Sequence, residues 1–148
     1  MEQKYINEIH EECKKLASRY SKYFTADFEK FGAAAMVKLA NNLHVPSGVM
    51  LTHHFDLSNN CDQGFIVADG GIYTCEKSFG IFGSPTKTSW EWFRNARDIS
   101  YKSGITSSKI AVDGRVIAHY YVGTNRQAEE ELVCFFDRIV TIARDAYR

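Results

Sequence analysis

Proline is nearly missing from this chain: Pro46 and Pro85 are the only two in 148 residues. With no proline-rich, repetitive or low-complexity tract, nothing reads as a linker beyond residues 44–48. Cysteine is also sparse. Cys13, Cys61, Cys75 and Cys134 form no C-x-x-C pair, so no metal-binding or paired-thiol motif is written here. Charge of one sign is absent, since 18 basic side chains balance 18 acidic ones. A general nucleic-acid binder needs a net basic face to displace counterions, and no nucleic-acid partner is therefore expected. No apolar run approaches a membrane span, and Met1-Glu2-Gln3-Lys4 opens a charged amphipathic stretch without a signal-peptide core. A reduced, cytoplasmic setting is the expectation.

What is present is a well-patterned α+β chain, large enough to bury roughly two-thirds of its unfolded surface without disulfides or metals. Ile6, Ile9, Cys13, Leu16, Tyr20 and Tyr23 recur at helical spacing and predict an amphipathic helix over residues 3–24. Thr25 can cap a second helix, whose apolar face is Phe28, Phe31, Ala35, Leu39 and Leu43. The small run Gly32-Ala33-Ala34-Ala35 permits close approach, so residues 1–45 read as an N-terminal helical hairpin. The same seam could instead make a homodimer through the N-terminal helix. Cys13 and Cys134 fall on apolar helix faces, where a free thiol acts as a small hydrophobe.

His44-Val45-Pro46-Ser47-Gly48 ends the helical region. Residues 49–57 then alternate as a strand, and Ser58–Gly64 is a polar loop. Residues 64–68 and 72–76 flank Asp69-Gly70-Gly71, a hairpin signal in which the turn calls for positive φ. Lys77–Pro85 reads as a loop that carries Phe79, Ile81 and Phe82 among glycines. Thr86–Phe93 reads as a strand with Trp90 and Trp92 on one face, followed by a weaker strand over 98–102. A second hairpin turns at Asp113-Gly114. From Thr124 to the C-terminus runs a capped amphipathic helix with a Thr124/Gln127 capping box and the stripe Leu132, Phe135, Phe136, Ile139, Val140, Ala143 and Tyr147. Charge is uneven along the way: Val49–Glu76 holds acids and no Lys or Arg, whereas bases dominate Lys77–Arg115.

The stretch Gly64-Phe65-Ile66-Val67-Ala68-Asp69-Gly70-Gly71-Ile72-Tyr73, followed by Thr88-Ser89-Trp90-Glu91-Trp92-Phe93, resembles small bacterial pleckstrin-homology-like (PH-like) domains. Their GF-x-x-T-D-x-G-I-Y hairpin precedes an I-S-W-x-x-F strand, and the resemblance covers roughly residues 49–147. It implies a curved antiparallel sheet or barrel over 46–148, closed by a C-terminal helix, and a non-enzymatic binding or scaffolding role. Some PH domains hold phosphoinositides with bases around the first hairpin. Here that loop, Ser58–Gln63, offers none.

Signals for chemistry are few. Gly80–Thr88 has a fleeting likeness to a phosphate loop, but Thr86 stands where glycine should precede Lys87, and Pro85 removes an N–H. His53 and His54 are adjacent on a strand and point to opposite faces, so they cannot share a metal. His53 reads as a satisfied, semi-buried histidine. These features predict a non-catalytic protein-interaction module with no cofactor and no metal: an adaptor, inhibitor or immunity-type factor for a protein partner. The partner-binding candidates are Phe79, Ile81, Phe82 and Trp92. The sheet edge and a groove beside the terminal helix are further docking places. The competing classes are a small enzyme or ligand binder using His53, His119, Asp56 or tyrosines at the barrel mouth, and membrane recruitment through Arg94 and Arg97.

Overall fold

Two hairpins form where Asp-Gly steps interrupt runs of apolar residues. The first joins β2 (Gly64–Ala68) to β3 (Gly71–Cys75), with Ala68 paired to Gly71 across the Asp69–Gly70 turn. The positive φ falls on Gly71, at 146°, and the backbone of Thr88 leaves no room for a Cβ there. The second joins β8 (Ser108–Val112) to β9 (Arg115–Tyr120). Its turn residues Asp113 and Gly114 both have positive φ, the arrangement whose twist matches the flanking strands. The Asp113 carboxylate accepts the Asp98 N–H at 2.9 Å and so ties this turn to the preceding strand.

The computed structural model describes residues 1–26, 33–54, 63–78, 81–104 and 107–148. Phe28, Phe31 and Gly32, Phe55, Asp56 and Leu57, Cys61, and Phe79 lie outside the described residues. Helices α1 (Gln3–Arg19) and α2 (Ala33–Asn42) precede β1 (Val49–His54). After β3 come the short strands β4 (Lys77–Ser78) and β5 (Ile81–Phe82), then β6 (Thr86–Ser89). A 3-10 helix at Trp90–Asn95 and β7 (Ile99–Lys102) lead to the second hairpin, and α3 (Arg126–Ala146) ends the chain. One antiparallel sheet has the order β1-β2-β3-β6 and a second the order β7-β8-β9. The fold is therefore α+β, with two antiparallel sheets and helices at both ends.

The ladders do not close into a barrel among the described residues. At the crossing of the sheets, side chains replace ladder bonds. Thr74 Oγ1 donates to Gly64 O at 2.7 Å and accepts the His119 N–H at 2.9 Å. His53 Nε2 accepts the Tyr121 N–H at 3.0 Å, which leaves the ring proton on Nδ1, donated to Tyr23 O at 2.7 Å. His53 is thus a neutral, doubly bonded joint, as the strand pattern suggests.

The two N-terminal helices do not make the expected hairpin core. Ile9, Cys13, Leu16 and Ala17 of α1 belong to the main cluster, with α3 and the inward residues Phe65, Val67 and Ile72. Leu39 of α2 and Leu43 just after it join a second cluster on the opposite face of the same strands, with Ile66, Ala68, Tyr73 and Cys75. The reason is that β2 and β3 are buried at every position and apolar at most of them, so both faces need a cover. Helix α1 stops at Arg19 rather than near 24, and Phe24, 1% exposed, turns into the core against His53 and Phe65. Thr25 pairs backbone-to-backbone with Thr52.

The terminal helix begins one residue later than the capping-box spacing suggests. Asn125 is the cap, its Oδ1 accepting the Ala128 N–H at 3.0 Å. Cys134 lies on its exposed side, not on the apolar face. Phe135 and Phe136 are fully buried, and Phe136 meets Phe65 edge-on at 5.2 Å. Phe136→Ala is expected to cost about 3–5 kcal/mol in urea unfolding, because the cavity opens beneath both sheets. An unchanged unfolding curve would contradict this packing.

Candidate interaction surface

The segment expected to be a loop at 77–85 contains a minimal ladder, Lys77 to Phe82 and Ser78 to Ile81. Beyond it the Gly83 N–H donates to Glu76 O at 3.2 Å, and the Cys75 thiol donates to Gly83 O at 2.8 Å. This segment is therefore folded back on the end of β3. Ile81 and Phe82 sit on its second strand, their side chains outside the described part, as is Phe79. No helix follows, only strand β6, which agrees with the rejection of a phosphate loop at Gly80–Thr88.

Trp90 and Trp92 do not share a face. The chain leaves β6 at Ser89 and winds into a 3-10 helix, where residues two apart lie well separated around the axis. Trp90 is 2% exposed, and its indole N–H donates to Asp69 O at 2.9 Å and Ala68 O at 3.2 Å. Buried carbonyls at the hairpin turn thus find a donor. Trp92 is 38% exposed, edge-on to Phe93 and lying 5.5 Å from the Arg115 guanidinium. Arg115 is oriented by neutral acceptors, Nε on Thr88 Oγ1 at 2.9 Å and Nη2 on Lys87 O at 2.8 Å.

A larger surface feature was legible only as a general remark about edges and grooves. Strand β7 ends its sheet, and among the described residues no backbone bond joins Ile99 or Tyr101 to anything beyond β8. Asp98 O accepts the Asp113 N–H at 2.8 Å, so the antiparallel alternation turns the N–H and C=O of Ile99 and Tyr101 outward. Beside this edge lies a groove of about 640 Å³ against the first turns of α3. Tyr101, Val133 and Cys134 supply its apolar lining, and Arg126, Glu129 and Glu130 its rim. Tyr101 is 56% exposed although it sits opposite the fully buried Ile110. The exposed Cys134 belongs to this groove.

Among the described residues His53 and His119 have different surroundings. His53 spends both ring nitrogens on backbone groups, and Asp56 lies outside the described residues. No group of three or more His, Cys, Asp or Glu side chains assembles among the described residues. His119 is different. Its Nδ1 is buried without a hydrogen-bond partner, 3.7 Å from Glu76 Oε2. Burial pushes its imidazole below the ordinary value; Lys109 acts in the same direction and Glu76 opposes both.

Comparison with protein-family models, with curated proteins and with solved structures finds no match. Among the described residues no helix is long and apolar enough to cross a membrane. What the surface offers chemically is main-chain pairing on β7, an apolar groove, and an arginine-backed tryptophan on a separate face.

Two measurements follow from these placements. Trp90→Ala is expected to cost about 3–5 kcal/mol and Trp92→Ala roughly 1 kcal/mol in equilibrium unfolding, because only the first empties a buried site. Equal losses would return both rings to the core. His119 titrates lower folded than unfolded, so the unfolded chain holds its proton more tightly. Stability is therefore fully present above the unfolded value and falls as pH drops below it toward the folded one. Urea midpoints taken across that window should fall less steeply for His119→Gln than for the parent chain; identical slopes would remove His119 as the cause.

Proposed function

We propose that this chain is a non-catalytic protein-interaction module, of PH-like type, that takes an extended peptide of its partner as an added strand on β7. Four strands in one antiparallel sheet, three in the next and a closing helix follow the element order of the PH-like class, which supports that part of the reading. The observation that carries the function is the open β7 edge lying alongside an apolar groove. Main-chain groups of Ile99 and Tyr101 supply affinity without regard to sequence, and the groove supplies selection. Alternate residues of an added strand point to the same face, so one apolar side chain of the peptide enters between Tyr101 and Val133. The rim, with Arg126 one turn before Glu129 and Glu130, accepts polar flanks of either sign.

Such a site suits an adaptor, or an inhibitor that occupies a partner's segment. The exposed Trp92 favours a second docking face, because tryptophan and arginine recur at the energetic centres of interfaces. It is the subordinate choice.

Selection of linear peptides displayed in a random library, against the folded chain, tests the assignment. Bound peptides should slow amide exchange at Ile99 and Tyr101, and Val133→Asp should weaken them roughly tenfold or more. Peptides that leave both amides unprotected but are lost on Trp92→Ala would move the site to the tryptophan face.

A further inference from the structure

The opposite face of β7 carries a different chemistry. Lys102 lies opposite Lys109 of β8, and Lys109 lies opposite His119 of β9. Directly opposed residues share a face, so two ammonium groups and an imidazole stand side by side across the sheet. They open into one cleft of about 250 Å³, with Glu76, Ser107 and Ser108 on its walls. Among the described residues neither lysine has an ion-pair partner. Like charges facing each other across a ladder are unfavourable unless an anion lies between them.

The far end of the row has the complementary deficit. His119 lines the cleft but is only 9% exposed, and its Nδ1 is buried with no hydrogen-bond partner. Glu76 Oε2 stands 3.7 Å away, beyond hydrogen-bond range, while Glu76 Oε1 accepts the Ser107 hydroxyl at 3.4 Å. The Glu76 carboxylate, held among the described residues only by the long Ser107 contact, calls for a group that can donate to it. The lysines at the near end call for negative charge.

We infer that this cleft binds a phosphate group that keeps one proton. Its anionic oxygens meet Lys102, Lys109 and the Ser107 hydroxyl, and its P–OH donates to Glu76. Sulfate has the same shape and no proton near neutral pH. Against the Glu76 carboxylate it presents only acceptors, so the cleft discriminates the two anions by hydrogen bonding rather than by size. A soluble phosphate and a phosphorylated lipid headgroup share this chemistry. The site lies on the other face of β7 from the peptide groove, meets it only at Ser103, and does not depend on it.

Titration of the whole chain with inorganic phosphate, and separately with sulfate at matched ionic strength, tests the inference by amide chemical-shift changes. Phosphate should bind at least about tenfold tighter than sulfate. Lys109→Met, or Lys102→Met should the first fail to fold, should abolish the phosphate response, and Val133→Asp should leave it intact. Glu76→Gln should admit sulfate and bring the two affinities together, a result that a merely basic surface would not give. Equal binding of both anions to the parent chain would overturn the inference, as would a phosphate response indifferent to both lysine variants. Vesicles carrying phosphatidylinositol phosphate separate the sources. Binding lost with Lys109→Met assigns a lipid headgroup, and phosphate binding without vesicle binding assigns a soluble phosphate.

Discussion

The β2–β3 hairpin is buried on both faces, and most of the structure is arranged to cover it. Phe65, Val67 and Ile72 point toward α1 and α3, while Ile66, Ala68, Tyr73 and Cys75 point toward α2. Two paired runs of five buried residues cannot be stable on a single layer of helices. Its turn carbonyls are also claimed, by the Trp90 indole. The 3-10 helix, the placement of α2 and the crossing of the second sheet all follow from the need to shield this element and satisfy its polar atoms.

Polar side chains make the joints where regular pairing ends. Thr74 and His53 each bond to two backbone groups from different parts of the chain, replacing the ladder that a closed barrel would have supplied. These groups are fully used and have no chemistry to spare. His119 sits on β9 within the same crossing region but has an open nitrogen. The histidines of β1 and β9 thus differ because one found two backbone partners and the other none for its buried Nδ1.

The second sheet is where the molecule is least finished. Strand β9 is covered by the first sheet and β8 lies between its neighbours, leaving β7 with one paired side and one open. An open edge is a hazard for any sheet protein and is tolerated where it is short or used. Here the edge has a groove on one face and a row of cations on the other, so strand alternation alone separates an apolar contact from an anionic one. The arginine-stacked Trp92 belongs to a different part of the surface, beside the hairpin turns.

Local sequence was sufficient for features whose cause is local. Asp-Gly turns, the apolar alternation of the strands and the stripe of the terminal helix were legible because each reflects the conformational preference or periodicity of neighbouring residues. The buried state of His53 was legible from its place in an apolar register. Other features were decided by distant contacts. Trp90 and Trp92 alternate like strand residues, yet the indole of one reaches the hairpin turn and the chain coils into a 3-10 helix. Cys134 lies close to the apolar stripe and still faces outward, because only a tertiary neighbour defines which edge of that stripe is covered. The two sides of the central hairpin, the open edge of β7 and the row formed by Lys102, Lys109 and His119 depend on strand order and register. Those are set by which surfaces meet, a property that residues far apart in the chain acquire only on folding.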